Sequence, residues 1–182
     1  MPEPRHSRGV LCPSGSAWVD RCSWSNVDGG SMDFGERFDP NRHISNVLTG
    51  REVRLLSSDK SILPGIVGVP GCAELIGGVT EIGVDRIIME SGARFELHTH
   101  PGAHILYVMR SRGFIHIDGV DYEIGAGDTV FVPADYAHGV KTNTAVTEPF
   151  ELLAFGVPHM PLESPDRMTL VTDPARAASR SV

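Results

Sequence analysis

Five of the eight histidines in this 182-residue chain fall between Gly92 and Asn143: His98, His100, His104, His116 and His138. The tightest part reads Gly92-Ala-Arg-Phe-Glu-Leu-His98-Thr-His100-Pro-Gly-Ala-His104. Alternate side chains of a β-strand share a face, so His98 and His100 point the same way, about 7 Å apart. Pro101-Gly102 then breaks the strand, and His104 can open a neighbouring strand and return its imidazole to the same spot. Neutral imidazoles converging in this way are what borderline divalent metals select. A lone histidine on an apolar face is usually a satisfied core residue. Three at this spacing, with His138 downstream, point instead to a metal site.

The elements that must position these residues are short strands. From Arg51 onward, apolar runs alternate with Gly and Pro: Val53 to Leu56, Ile62 to Val69, Cys72 to Ile76 and Ile82 to Met89. Ile105 to Met109, Phe114 to Ile117, Thr129 to Val132 and Phe150 to Val157 follow the cluster. Runs of this length, rich in Val and Ile and bounded by turn residues, read as strands. Asp118-Gly119 between two of them is a hairpin signal, with Tyr122 to Ile124 as the returning strand. No stretch keeps a 3.6-residue period over three turns, so little helix is expected. Many short strands at regular spacing imply an all-β sandwich or barrel.

The spacing of two segments resembles the cupin family. Gly92-x5-His98-x-His100-x3-His104 is similar to the first cupin motif, and Gly127-x5-Pro133-x-Asp135-x2-His138 to the second. The resemblance covers residues 50 to 158 and implies a double-stranded β-helix, or jelly-roll, barrel with a metal inside its mouth. Carried over residue by residue, it makes His98, His100 and His138 the three histidine ligands. The resulting division is an irregular N-terminal arm over 1–45, a cupin barrel over 46–160 and a C-terminal tail over 161–182, read as frayed and exposed. The family also implies a homodimer, to which an arm carrying Trp18, Trp24, Phe34 and Phe38 could contribute a swapped contact.

Four departures stand out. His104 occupies the place of the family's usual acidic ligand, so the expected set is four histidines and no carboxylate. Ser111 stands where the first motif ends in Gly, and Asp135 replaces a Gly of the second; Asp tolerates left-handed backbone better than most residues. Asn143 lies one position late for the Asn that ends the second motif. Four neutral ligands leave the full charge on a dication, which then polarises a bound carbonyl or enolate more strongly and favours anionic oxygen donors.

Acid–base candidates are fewer. Glu96 shares the parity of His98 and His100 and is a candidate general base or partner of a ligand histidine, the alternative being a rim carboxylate paired with Arg94 or Arg110. Tyr136, two residues before His138, could offer its hydroxyl to a substrate or simply cover the barrel end. His116 is less well placed than the four other histidines. His43 reads as a surface or helix-end residue, and no metal role follows for His6 or His159.

The whole chain narrows the partners. A net charge of −7 and a pI near 5.5 leave no basic stripe for nucleic acid. The N-terminus lacks the apolar core of a signal peptide and no run reaches membrane-span length, so a cytoplasmic location is expected. Cys12, Cys22 and Cys72 read as reduced thiols, with a Cys12–Cys22 disulfide as the minor alternative. Arg outnumbers Lys 14 to 2, a bias of GC-rich coding.

Function is not set by fold. The first expectation is a dioxygenase-like oxidoreductase acting on a small enolic, phenolic or carboxylate metabolite. Its metal is Fe(II) by first choice, with Zn, Ni, Mn or Co as alternatives. The second is Lewis-acid chemistry of the polyketide cyclase, isomerase or lyase type. The third is a non-catalytic metal- or ligand-binding module.

Overall fold

A computed structural model describes residues 39–76 and 79–172. The expected aromatic arm through Phe38, Cys12, Cys22 and the last ten residues of the tail lie outside the described residues. Among the described residues eleven strands run in chain order: β1 Val53–Leu56, β2 Ile62–Ile76, β3 Thr80–Met89, β4 Arg94–Thr99, β5 Ala103–Arg110 and β6 Arg112–Ile117. Then come β7 Val120–Gly125, β8 Thr129–Val132, β9 His138–Thr142, β10 Phe150–Val157 and β11 Thr169–Leu170. Helix among the described residues is limited to the one-turn α1, Pro40–His43, and a 3-10 turn at Pro165–Arg167. None of it is long and apolar enough to cross a membrane.

The strands form two antiparallel sheets, ordered β1-β2-β3-β10-β5-β8 and β11-β4-β9-β6-β7. From β3 onward the chain repeatedly crosses from one sheet to the other, which is the winding of a jelly-roll barrel. Each strand alternates faces, so one residue in two enters the space between the sheets. On β3 these are Gly83, Asp85, Ile87 and Met89, and on β5 His104, Leu106 and Val108. Met89 lies opposite Phe150 on β10, and both are almost wholly buried beside Leu55, Ile66, Val108, Val132 and Leu152. That apolar contact closes one end of the barrel, and the histidines occupy the other.

The outward face of β10, β5 and β8 is apolar: Phe155 pairs with Ile105 and Ile105 with Phe131, all three exposed. Phe131 therefore points out while its neighbour Val132 points in. His43 ends α1, as expected, with Nδ1 accepting the Asp39 N–H at 2.8 Å and Nε2 3.0 Å from Glu74 Oε2.

Two runs expected as separate strands are one. β2 passes through Pro70-Gly71, where two of its residues, Gly71 and Cys72, oppose one of β3, Val84, between the pairs Pro70–Asp85 and Ala73–Gly83. Such a bulge accepts a residue with no N–H to donate. A Cβ at Gly71 would lie 2.2 Å from the Val84 carbonyl oxygen, so the bulge also requires a glycine.

The tail expected to fray does not do so over its first half. Leu162 and Met168 are buried in the core, and β11 pairs with β4 through Thr169–Thr99 and Leu170–His98. The composition of the last residues masked this, because two apolar anchors among polar neighbours leave little periodic signal.

The turns follow the residue types. Asp118 and Gly119 both adopt positive φ, 51° and 79°, in the two-residue β6–β7 loop, the pattern of a right-twisting hairpin turn. Asp135 takes φ 58° and Ser111 φ 64°. Ser111 thus holds left-handed backbone at a steric cost that glycine avoids. Ser111→Gly is expected to raise stability by about 0.5–1 kcal/mol, read as a higher urea midpoint at unchanged slope; an unchanged midpoint would mean the strain at Ser111 is already relaxed.

Candidate metal centre

His98 and His138 face each other as register partners on β4 and β9, at the open end of the barrel. His100 lies one residue past the end of β4, in the turn that leads to β5. Their candidate ligand nitrogens all lie within 4.8 Å of one another, and all three residues are buried. Ring centroids are 4.4 Å apart for His98–His138, 4.8 Å for His100–His138 and 5.7 Å for His98–His100.

The backbone orients each ring. His98 Nδ1 lies 2.7 Å from the Glu96 carbonyl oxygen, His100 Nδ1 2.6 Å from that of Gly102, and His138 Nδ1 2.9 Å from that of Tyr136. A carbonyl oxygen only accepts, so each Nδ1 carries the proton and donates. Each Nε2 is then left as a lone pair. This is the tautomer and the carbonyl bond with which histidine usually ligates a metal.

Burial opposes charging of these rings. Desolvation lowers the pKa of His98 well below the ordinary value and also lowers that of His100; it brings His138 down to about 4. All three are neutral at pH 7. The His100 Nε2 is shielded from solvent and has no hydrogen-bond partner among the described residues. A buried lone pair without a partner is costly. A divalent metal satisfies it, and bonds of about 2.1 Å need ligand nitrogens only about 3–3.5 Å apart. The residues therefore fit a metal ion, with modest side-chain movement.

His104 reaches the same cavity from the opposite sheet. Its ring stacks on His100 at 4.0 Å and 30°, so it stands beside the converging trio. Burial brings its pKa down to about 3. A Cβ at Gly156, its register partner on β10, would lie 3.2 Å from His104 Nε2; the missing side chain is what lets the imidazole lie there. The cavity, of about 40 Å³, is lined besides the histidines mainly by apolar side chains, among them Phe95, Leu106 and Leu152.

Two sequence-based expectations are corrected. Glu96 does not face the interior: its side chain is exposed and bonded to Arg94 Nε at 2.6 Å. The parity argument fails at a bulge, since Phe95 pairs with Val140 and His98 with His138, three steps on β4 against two on β9. Phe95 and His98 both point inward, and the intervening pair absorbs the extra residue. Only the Glu96 carbonyl serves the site. Tyr136 likewise contributes its carbonyl, while its hydroxyl donates to Asp118 Oδ2 at 2.6 Å across the barrel end. His116 pairs with Asp121 on the outer face at 2.8 Å. The residue that sequence reasoning missed is Arg167, which lines the cavity from the 3-10 turn; it sits in a segment without strand periodicity, and nothing local marked it.

The depressed histidine pKa values set a pH dependence. The unfolded chain takes up protons near pH 6.5 and the folded metal-free chain does not, so the histidine contribution is complete above that pH and is lost as pH falls towards about 4. Metal-free protein should therefore melt at progressively lower temperature from pH 6.5 to pH 4, and His138→Leu should flatten the dependence; equal slopes would show that these rings do not titrate this way.

Comparison with known proteins agrees with this geometry. Residues 85–156 match the family described as Cupin domain. A cupin-2 domain protein from Rhodospirillum rubrum is similar with a TM-score of 0.55 at 15% identity, over 79% of this chain and 89% of that one. The polyketide cyclase RemF from Streptomyces resistomycificus is similar with a TM-score of 0.52 at 16% identity, over 71% of this chain and 87% of that one. At such identities the likeness is one of fold. No curated protein matches the sequence. The two-sheet barrel and the positions of the histidines on it agree with the family match, and residues 85–156 are similar to a cupin domain.

Proposed function

We propose that the chain is a metal-dependent cupin enzyme acting on a small oxygenated metabolite by Lewis-acid chemistry. The observation that carries this reading is the set of three Nε2 lone pairs turned into one cavity by carbonyl bonds, with no carboxylate among the residues lining it. His98, His100 and His138 hold one divalent transition metal. His104, stacked on His100 and without a hydrogen bond to a described residue, is the candidate for a fourth ligand. A metal held by neutral imidazoles supplies undiminished positive charge to polarise a carbonyl or enol oxygen.

The chain's own residues do the rest. Phe95, Leu106, Val140 and Leu152 exclude water from the cavity and raise the strength of every electrostatic contact inside it. The rings stay neutral at working pH, so none competes as a proton donor. The similarity to a polyketide cyclase accords with this class. An oxygen-using reaction with Fe(II) is the second reading, favoured by the same all-imidazole donor set.

Elemental analysis should find about one metal per chain in the wild type. His138→Ala should lose it, His104→Ala should weaken binding by about 10-fold or more, and Glu96→Ala should leave both metal and activity unchanged. Retention of full affinity in His104→Ala would remove that residue from the ligand set. Metal-dependent turnover of an enolisable 1,3-dicarbonyl probe should persist without oxygen; strict dependence on oxygen would replace the Lewis-acid reading with the dioxygenase one.

A further inference from the structure

Arg167 is held at the cavity by a segment with its own anchors. Leu162 and Met168 are buried on either side of it, and the Ser164 side chain caps the 3-10 turn by accepting the Asp166 N–H at 3.3 Å. Beyond it β11 pairs with β4 and the Val171 N–H donates to the Leu97 carbonyl at 2.9 Å. The segment thus runs along the strand that carries His98 and presents position 167 to the cavity shared by His98, His100, His104 and His138.

The guanidinium is unusual for what it lacks. It makes no hydrogen bond or ion pair with any described residue, and its Nη1 is shielded from solvent without a partner. The nearby acid is already engaged: Asp85 Oδ2 faces His159 Nε2 at 2.9 Å, and Oδ1 accepts the Gly71 N–H at 3.3 Å. Asp85 acts on Arg167 only through its field, which opposes the lowering of the pKa by burial to about 10. Arg167 therefore remains a cation at neutral pH, in a cavity otherwise lined by neutral imidazoles and apolar side chains.

Arg167 is half-buried, and a cationic donor shut off from solvent without a partner, as its Nη1 is, is costly unless an anion meets it. If Arg167 served only to hold the C-terminal segment, it would bond to the barrel, and it does not. We propose that Arg167 anchors a carboxylate on the ligand of the histidine cavity. The planar guanidinium fork matches a carboxylate with two parallel hydrogen bonds. The apolar lining of Ile87, Phe95, Leu106, Val140 and Leu152 takes the remainder, so the ligand class is a small carboxylate with an aromatic or otherwise apolar body. The assignment rests on the histidine cavity being the substrate site, and it makes Arg167 the residue that sets which end of the ligand faces the histidines.

The test uses benzoate and its uncharged isostere benzamide as probes, titrated into the full-length protein, metal-free and zinc-loaded, and followed by calorimetry. Wild type should bind benzoate saturably and at least 10-fold more tightly than benzamide. Arg167→Gln should lose about 10–100-fold in benzoate affinity with unchanged benzamide binding and unchanged metal content. Arg167→Lys, which keeps charge and stem but not the fork, should fold as wild type and lose several-fold. Benzoate affinity unchanged in both variants, benzamide bound as well as benzoate, or no saturable benzoate binding to wild type would each overturn the proposal. Absence of metal from the protein together with Arg167-dependent benzoate binding would sink the metal centre and leave this assignment standing.

Discussion

The site depends on three hydrogen bonds from imidazole Nδ1 to the backbone carbonyls of Glu96, Gly102 and Tyr136. Each carbonyl belongs to a residue two positions from its histidine, so the strand end or turn that places the ring also sets its tautomer. The bonds cost the fold nothing in side chains. They leave three lone pairs aimed into one apolar cavity, where burial keeps the rings unprotonated. A buried nitrogen without a partner, His100 Nε2, is the price of that arrangement and fits a ligand to a metal ion.

The barrel is arranged to protect this geometry. One end is sealed by Met89 and Phe150 with their neighbours, so the histidine end can stay open without loss of the core. β4 and β9 supply His98 and His138 as direct cross-strand partners, and the opposite sheet supplies His104 across a gap that Gly156 leaves clear. The C-terminal segment then returns to the edge of β4. It adds a cation where the rest of the lining is neutral. With a metal on the histidines, as proposed, the apolar wall and the guanidinium would suit a ligand with a hard oxygen, an apolar body and an anionic end.

Much of this was legible in the chain. The His98-x-His100 spacing, the Asp118-Gly119 turn and the run Phe150 to Val157 each depend on local rules, alternation and φ preference, and the structure has them where those rules place them. Ser111 and Asp135, which depart from the cupin pattern, keep the left-handed backbone that the pattern's glycines imply. Strand breaks at Pro70-Gly71 were misread because a bulge can carry a proline through a sheet, and no local signal separates a bulge from a turn.

Sequence alone determined that three histidines converge on one face of an all-β barrel, because a two-residue period and a motif's spacing are properties of the chain itself. Only tertiary structure decided which side chains share that face across a bulge. An extra residue on β4 turned Glu96 out to Arg94 while leaving its carbonyl on His98. Tertiary structure also brought Arg167, 69 residues beyond His98 in the chain, to the same cavity. Contacts of that separation depend on the sum of all strand pairings between them, and no local pattern encodes that sum.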